Sequence, residues 1–169
     1  MTKNEDESRS YPVRENMRWQ RIEWRIQSVG YALLIVLVIL GACGLFSKGF
    51  LSDQQVISPD GYLRVEYERF GLRDSNMNMV LRVAHLQSAH FTLTLSGEEM
   101  DNFQIQSLQP QPLQARSENN QLVLTYAVST SQQEATVWLG MQPQSFGHYP
   151  VTVTLNHDTR VQFSQWVYP

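Results

Sequence analysis

The sequence predicts an all-β domain, a two-layer sandwich of about eight strands, preceded by one transmembrane α-helix. Three observations carry this prediction. Residues 28–46 (SVGYALLIVLVILGACGLF) run for nineteen positions without a formal charge. As a helix that run spans about 28 Å, close to the ~30 Å hydrocarbon core of a bilayer. Beyond it, apolar residues alternate with period two almost throughout, the mark of half-buried strands. Turn-forming pairs interrupt the alternation about every 8–12 residues, as in immunoglobulin-like sandwiches. The chain therefore divides into a polar tail expected to be disordered (1–16), an interfacial helix start (17–27), a transmembrane helix (28–47), a linker (48–58) and an exported β domain (59–169).

The anchor comes first. Six Lys/Arg precede it: Lys3, Arg9, Arg14, Arg18, Arg21 and Arg25. Lys48 alone follows it closely. This bias places the N-terminus in the cytoplasm and the β domain outside, across a bacterial inner membrane. Arg18, Arg21 and Arg25 share one helix face, positioned to meet lipid phosphates, with Trp19 and Trp24 in the interface; Lys48 closes the outer end. No Asp, Glu, Lys, Arg or His lies within residues 28–46, which argues against an ion pathway through this helix. Leu40-Gly41-Ala42-Cys43 has the form of a lipobox, which would place a lipid on Cys43 and remove everything before it. Its distance from the N-terminus, and an apolar run that continues to Phe46, favour an uncleaved anchor.

The strands follow in order. Residues 62–70 (YLRVEYERF) set Leu63, Val65 and Tyr67 on one side and Arg64, Glu66 and Glu68 on the other. Residues 76–86 carry Met77, Met79, Leu81 and Val83 on one face, and 91–96 alternate Phe91, Leu93 and Leu95 with threonines. Further strands are read at 103–108, 121–128, 135–141, 151–155 and 160–167. Asp60-Gly61, Ser96-Gly97, Glu118-Asn119-Asn120 and Asn156-His157-Asp158 supply the turns. Pro110 and Pro112 mark a loop or an edge strand.

Composition narrows function. The single cysteine, Cys43, lies in the anchor, so neither a disulfide framework nor a cysteine-ligated metal site is expected outside. Residues 49–169 hold six arginines, no lysine and eleven acids, a net charge of −5 that excludes a nucleic-acid footprint. The sequence holds no G-x-S-x-G, phosphate loop, zinc helix or calcium loop, so no enzyme and no cofactor is expected.

Two kinds of site remain. The solvated side of residues 62–70, with Tyr62, Arg64, Glu66, Glu68, Arg69 and Phe70, is the candidate surface for a protein partner. Met77, Met79, His85 and His90 form the alternative, a thioether and imidazole set suited to periplasmic copper. Tyr62, Phe70 and Trp138 have parity opposite to their apolar neighbours and are candidates to project outward. The aromatic end, 163–169, either docks as a last strand or engages a partner.

The single anchor, residues 61–71 (GYLRVEYERFG) and residues 161–169 (VQFSQWVYP) together resemble a family of small single-pass bacterial membrane proteins with an exported β domain. Its pattern is a short cytoplasmic tail, one helix, an L-x-V-E-Y-x-R-F strand and a terminal V-Y-P. Members are often encoded beside a multi-pass membrane protein of the YetF type. The resemblance implies a multi-pass partner, implies no enzymatic activity, and counts against lipoprotein processing. The expected role is a membrane-anchored accessory protein that contacts bilayer lipids and binds a partner through its β-sandwich.

Overall fold

The computed structural model describes residues 17–44, 49–129 and 132–169. The expected disordered tail, 1–16, lies outside the described residues. The chain forms two compact units that divide between Ile39 and Leu40.

Helix α1 is Met17–Ala42, one continuous element whose span Arg21–Ala42 is long and apolar enough to cross a membrane. It joins the expected interfacial start and the anchor without a break. Its apolar side chains are open, Leu33 at 64 % and Ile35 at 57 %. Such a face is stable in lipid, where all helical backbone groups bond internally. The helix ends at Ala42, short of the expected limit at 47. Gly44 explains the stop: its φ of +93° is a conformation that glycine adopts freely. A Cβ there would also lie 2.7 Å from the Gly49 Cα.

The second unit is a β-sandwich of two sheets. Sheet 1 has the order β1-β2-β4-β9-β6, from Asp53–Ile57, Leu63–Glu68, Met77–Val83, Ala135–Pro143 and Phe103–Gln109. Sheet 2 has the order β3-β11-β10-β5-β8-β7, from Phe70–Leu72, Thr159–Tyr168, Gly147–Leu155, His90–Ser96, Gln121–Ala127 and Gln114–Glu118. Neighbours are antiparallel except β3 and β11, which run parallel. The period-two residues meet between the sheets. Leu63, Val65, Leu81 and Leu139 of sheet 1 face Leu93, Leu95, Leu124 and Val153 of sheet 2, each at most 1 % exposed. Each such side chain contributes about 1.5–3 kcal/mol through burial.

The eight expected strands are all present, and three more, β1, β3 and β7, extend the sheets. Each of these is an edge strand. Strand β1 falls inside the expected linker 48–58, so residues 53–57 belong to the sandwich rather than to a linker. Its pairing runs from Asp53↔Glu68 to Ile57↔Arg64.

The turns follow from the sequence. Asp60 closes the β1–β2 hairpin, its carboxylate accepting from Ser58 Oγ and from the Tyr62 N–H at 3.0 Å. Its second oxygen accepts from Thr159 Oγ1 at the start of β11, which ties the two sheets together. Asn119 and Asn120, at φ of 51° and 59°, make a two-residue hairpin between Glu118 and Gln121.

Candidate functional site

The expected surface on 62–70 divides between the two sheets. Tyr62, Arg64 and Glu66 face outward on sheet 1. Tyr62 is 42 % exposed and lies against His85 at 5.1 Å. Arg64 stands opposite Arg82 on β4, an unfavourable like-charge pair. Glu66 relieves it with a bond of 2.8 Å to Arg82, which pushes the guanidinium pKa up.

Glu68 does not belong to this surface. It is 7 % exposed, and its carboxylate accepts from Asn78 Nδ2 at 3.2 Å. Its carbonyl accepts from the buried Gln165 Nε2 at 2.9 Å. At Arg69 the chain leaves sheet 1. The Arg69 N–H donates to the Ser52 carbonyl at 2.7 Å, and the Arg69 carbonyl accepts from the Trp166 N–H at 2.8 Å. Buried Ser52 fastens the next residue twice, accepting from the Phe70 N–H at 3.1 Å and donating to the Phe70 carbonyl at 3.0 Å. One strand of alternating residues is therefore two short strands in different sheets. Tyr67 fills the crossover, its ring 4.0 Å from Phe163. Burial pushes its phenol pKa up.

Phe70 instead joins an aromatic row on the outer face of sheet 2. In register, Phe70 pairs with Trp166, and Trp166 pairs with His148. Trp166 is 43 % exposed, its ring 4.4 Å from His148. Phe70 stacks with Tyr168 at 6.1 Å, and the Arg69 guanidinium covers Phe70 at 5.4 Å. Leu72, 37 % exposed, pairs with Tyr168 and extends the row. The aromatic end of the chain thus docks as β11 and still presents Trp166 outward. The clue was the spacing: Trp166 has the parity of Arg160 and Gln162, opposite to that of Val161 and Val167.

The four candidate copper ligands are not brought together. Met77 and Met79 are each 1 % exposed, inside the core. The Met77 thioether packs against Gly71, where even a Cβ would collide with it. His85 lies beyond the far end of β4, and a strand of that length spans about 20 Å. His90 is exposed at the start of β5, in the other sheet. The methionines are core, as their shared parity with Leu81 and Val83 requires. Among the described residues, no three His, Cys, Asp or Glu side chains cluster as metal ligands.

On the helix, Trp19 and Trp24 are 64 % and 72 % exposed, and Arg21 and Arg25 are exposed beside them. The Arg18 side chain and Lys48 lie outside the described residues. Cys43 is exposed just past the helix end.

No family model matches the chain, and no curated protein matches its sequence. Among solved structures, the cupredoxin domain of amoB from Nitrosocaldus yellowstonii is similar, with a TM-score of 0.35 and 15% identity. The match covers 56% of this chain and 56% of that one.

Proposed function

We propose that the chain is a single-pass inner-membrane protein, N-terminus in the cytoplasm, whose periplasmic β-sandwich binds a protein partner within a membrane complex. The role is accessory and non-enzymatic. The observation that carries it is the row Phe70–Trp166–His148, with Leu72 and Tyr168, on the outer face of sheet 2. Half-exposed aromatics beside an arginine have the composition of an interface core. The helix tethers the domain to the bilayer and raises its effective concentration beside another membrane protein. A multi-pass partner fits that placement and the resemblance carried by residues 61–71 and 161–169.

The reading shifts the contact surface from β2 to the β3–β11–β10 face, retaining Arg69 and Phe70. The test is affinity capture of the full-length protein from gently solubilised native membranes. Phe70→Ala with Trp166→Ala is expected to lower recovery of a multi-pass partner at least tenfold. Arg64→Ala with Glu66→Ala is expected to leave it unchanged. The opposite pattern, or full recovery with both doubles, contradicts the assignment.

A further inference from the structure

One end of the sandwich carries a hollow of about 370 Å³, within the range of small-molecule sites. Three turns meet there. The β1–β2 turn brings Asp60 and Tyr62, the loop after β4 brings His85, and the β10–β11 turn brings Asn156 and Asp158. Each is fastened in place. The Ala84 N–H donates to the Tyr62 carbonyl at 2.9 Å, and the Asn156 side chain accepts from the Thr92 N–H at 2.9 Å. The Asp60 carboxylate joins the first turn to Thr159 at the start of β11. His85 holds a φ of +58°, sparse for a non-glycine residue and kept only where the surroundings impose it. Its imidazole lies against the Tyr62 ring at 5.1 Å.

The lining selects the ligand. Tyr62 is 42 % exposed, and His85, Asn156 and Asp158 are exposed, so a molecule in the hollow can reach each of them. Asp60 and Asp158 contribute two carboxylates, and among the described residues no lysine or arginine lines the hollow. The Asp60 oxygens already accept from Ser58, Thr159 and the Tyr62 N–H, so Asp60 supplies charge rather than a direct contact. Asp158 makes no ion pair among the described residues and is free to meet a cation. A bare metal ion does not suit this set, since no three His, Cys, Asp or Glu side chains cluster as ligands among the described residues. An organic cation does: its charge is spread over a larger surface, and the face of an aromatic ring attracts it. The net charge of −5 on residues 49–169 raises the local concentration of cations. His85, the one basic side chain on the lining, opposes a cation when it is protonated.

We propose that this hollow binds a small organic cation with a substituted ammonium group, seated against the Tyr62 ring with Asp158 beside its charge. This site is separate from the aromatic row and does not rest on partner binding.

Choline is the probe, and 3,3-dimethyl-1-butanol, its uncharged counterpart of the same shape, is the control. Binding of radiolabelled choline is measured by equilibrium dialysis with the full chain in a neutral maltoside detergent, after subtraction of detergent alone. The measurement is made at about pH 8, above the ordinary histidine range. Choline is expected to saturate at one per chain, and the alcohol to displace it only at concentrations at least about tenfold higher. Tyr62→Leu should weaken choline about fivefold, while Tyr62→Phe, which keeps the ring face, should leave it within about twofold. Asp158→Asn, at an exposed position that tolerates the change, should weaken choline about threefold or more and leave the alcohol within about twofold. The proposal is overturned by no saturable choline binding above detergent alone. It is equally overturned if the alcohol displaces choline at equal concentration, or if either Tyr62→Leu or Asp158→Asn leaves choline binding unchanged.

Discussion

Single side chains decide more of this molecule than the alternating pattern suggests. Ser52 is the plainest case. It is fully buried, and its hydroxyl holds both backbone groups of Phe70. Ser52→Ala leaves those groups unpaired and is expected to cost about 1–3 kcal/mol. Denaturant titration of the detergent-solubilised chain measures the loss. Tyr126→Phe should act in the opposite sense, because the hydroxyl it removes is buried without a partner among the described residues. Stability in the same titration should hold or rise by up to about 1 kcal/mol. Burial pushes the Tyr126 pKa up to about 12, so the fold favours the protonated phenol. That contribution is present below the unfolded value near ~10 and is lost as pH rises through the folded value. An alkaline loss of stability between those limits, smaller in Tyr126→Phe and with the remainder due to the half-buried Tyr67 phenol, is the expected signature. These roles were not legible in the sequence. Nothing at Ser52 marks it as a fastener, and Glu68, placed by parity on the solvated side, is buried because the chain turns between sheets at Arg69.

At the scale of elements, the sequence told most where side chains must alternate. Strands β2, β4, β5, β8, β10 and β11 each set one row of apolar residues against the opposite sheet, and period two reveals such strands. The shorter β6 and the β9 strand were read in part, with β9 extended to Pro143 by its pairing with Phe103. Strands β1, β3 and β7 were missed for one reason. All are edges, and β7 (QARSE) is exposed at every position. An edge strand with no core face leaves no apolar period to read, although its backbone still pairs. The aromatic row was half legible: Phe70 and the aromatic terminus were each noticed, but only the parallel β3–β11 pairing joins them.

The Asp60 clasp links elements of both sheets and has a consequence for pH. Hydrogen bonds from Ser58, Thr159 and the Tyr62 N–H hold its carboxyl below the usual 3.8. Ionised Asp60 therefore favours the fold. That contribution is complete above the unfolded value near ~4 and is lost as pH falls through the folded value. Asp60→Asn should lower stability at neutral pH and flatten the loss as pH falls below about 4, as followed by tryptophan fluorescence during acid titration. An unchanged acid limb would show that the clasp contributes nothing.

For the whole molecule, the helix and the sandwich solve separate problems. An open apolar helix is stable in lipid, and a cysteine-free domain outside the anchor is stable through a core shared by two sheets. Function then falls to what the core leaves outside. What stays outside is the row of aromatic residues on the outer face of sheet 2. The most direct test of the central claim is site-specific photocrosslinking in native membranes. A photoreactive phenylalanine analogue is placed at Trp166, at Leu72, or at Val123 on the outer face of β8. The account predicts a crosslink to one multi-pass membrane protein from positions 166 and 72 and none from 123. No crosslink from 166, or equal crosslinking from 123, would contradict it.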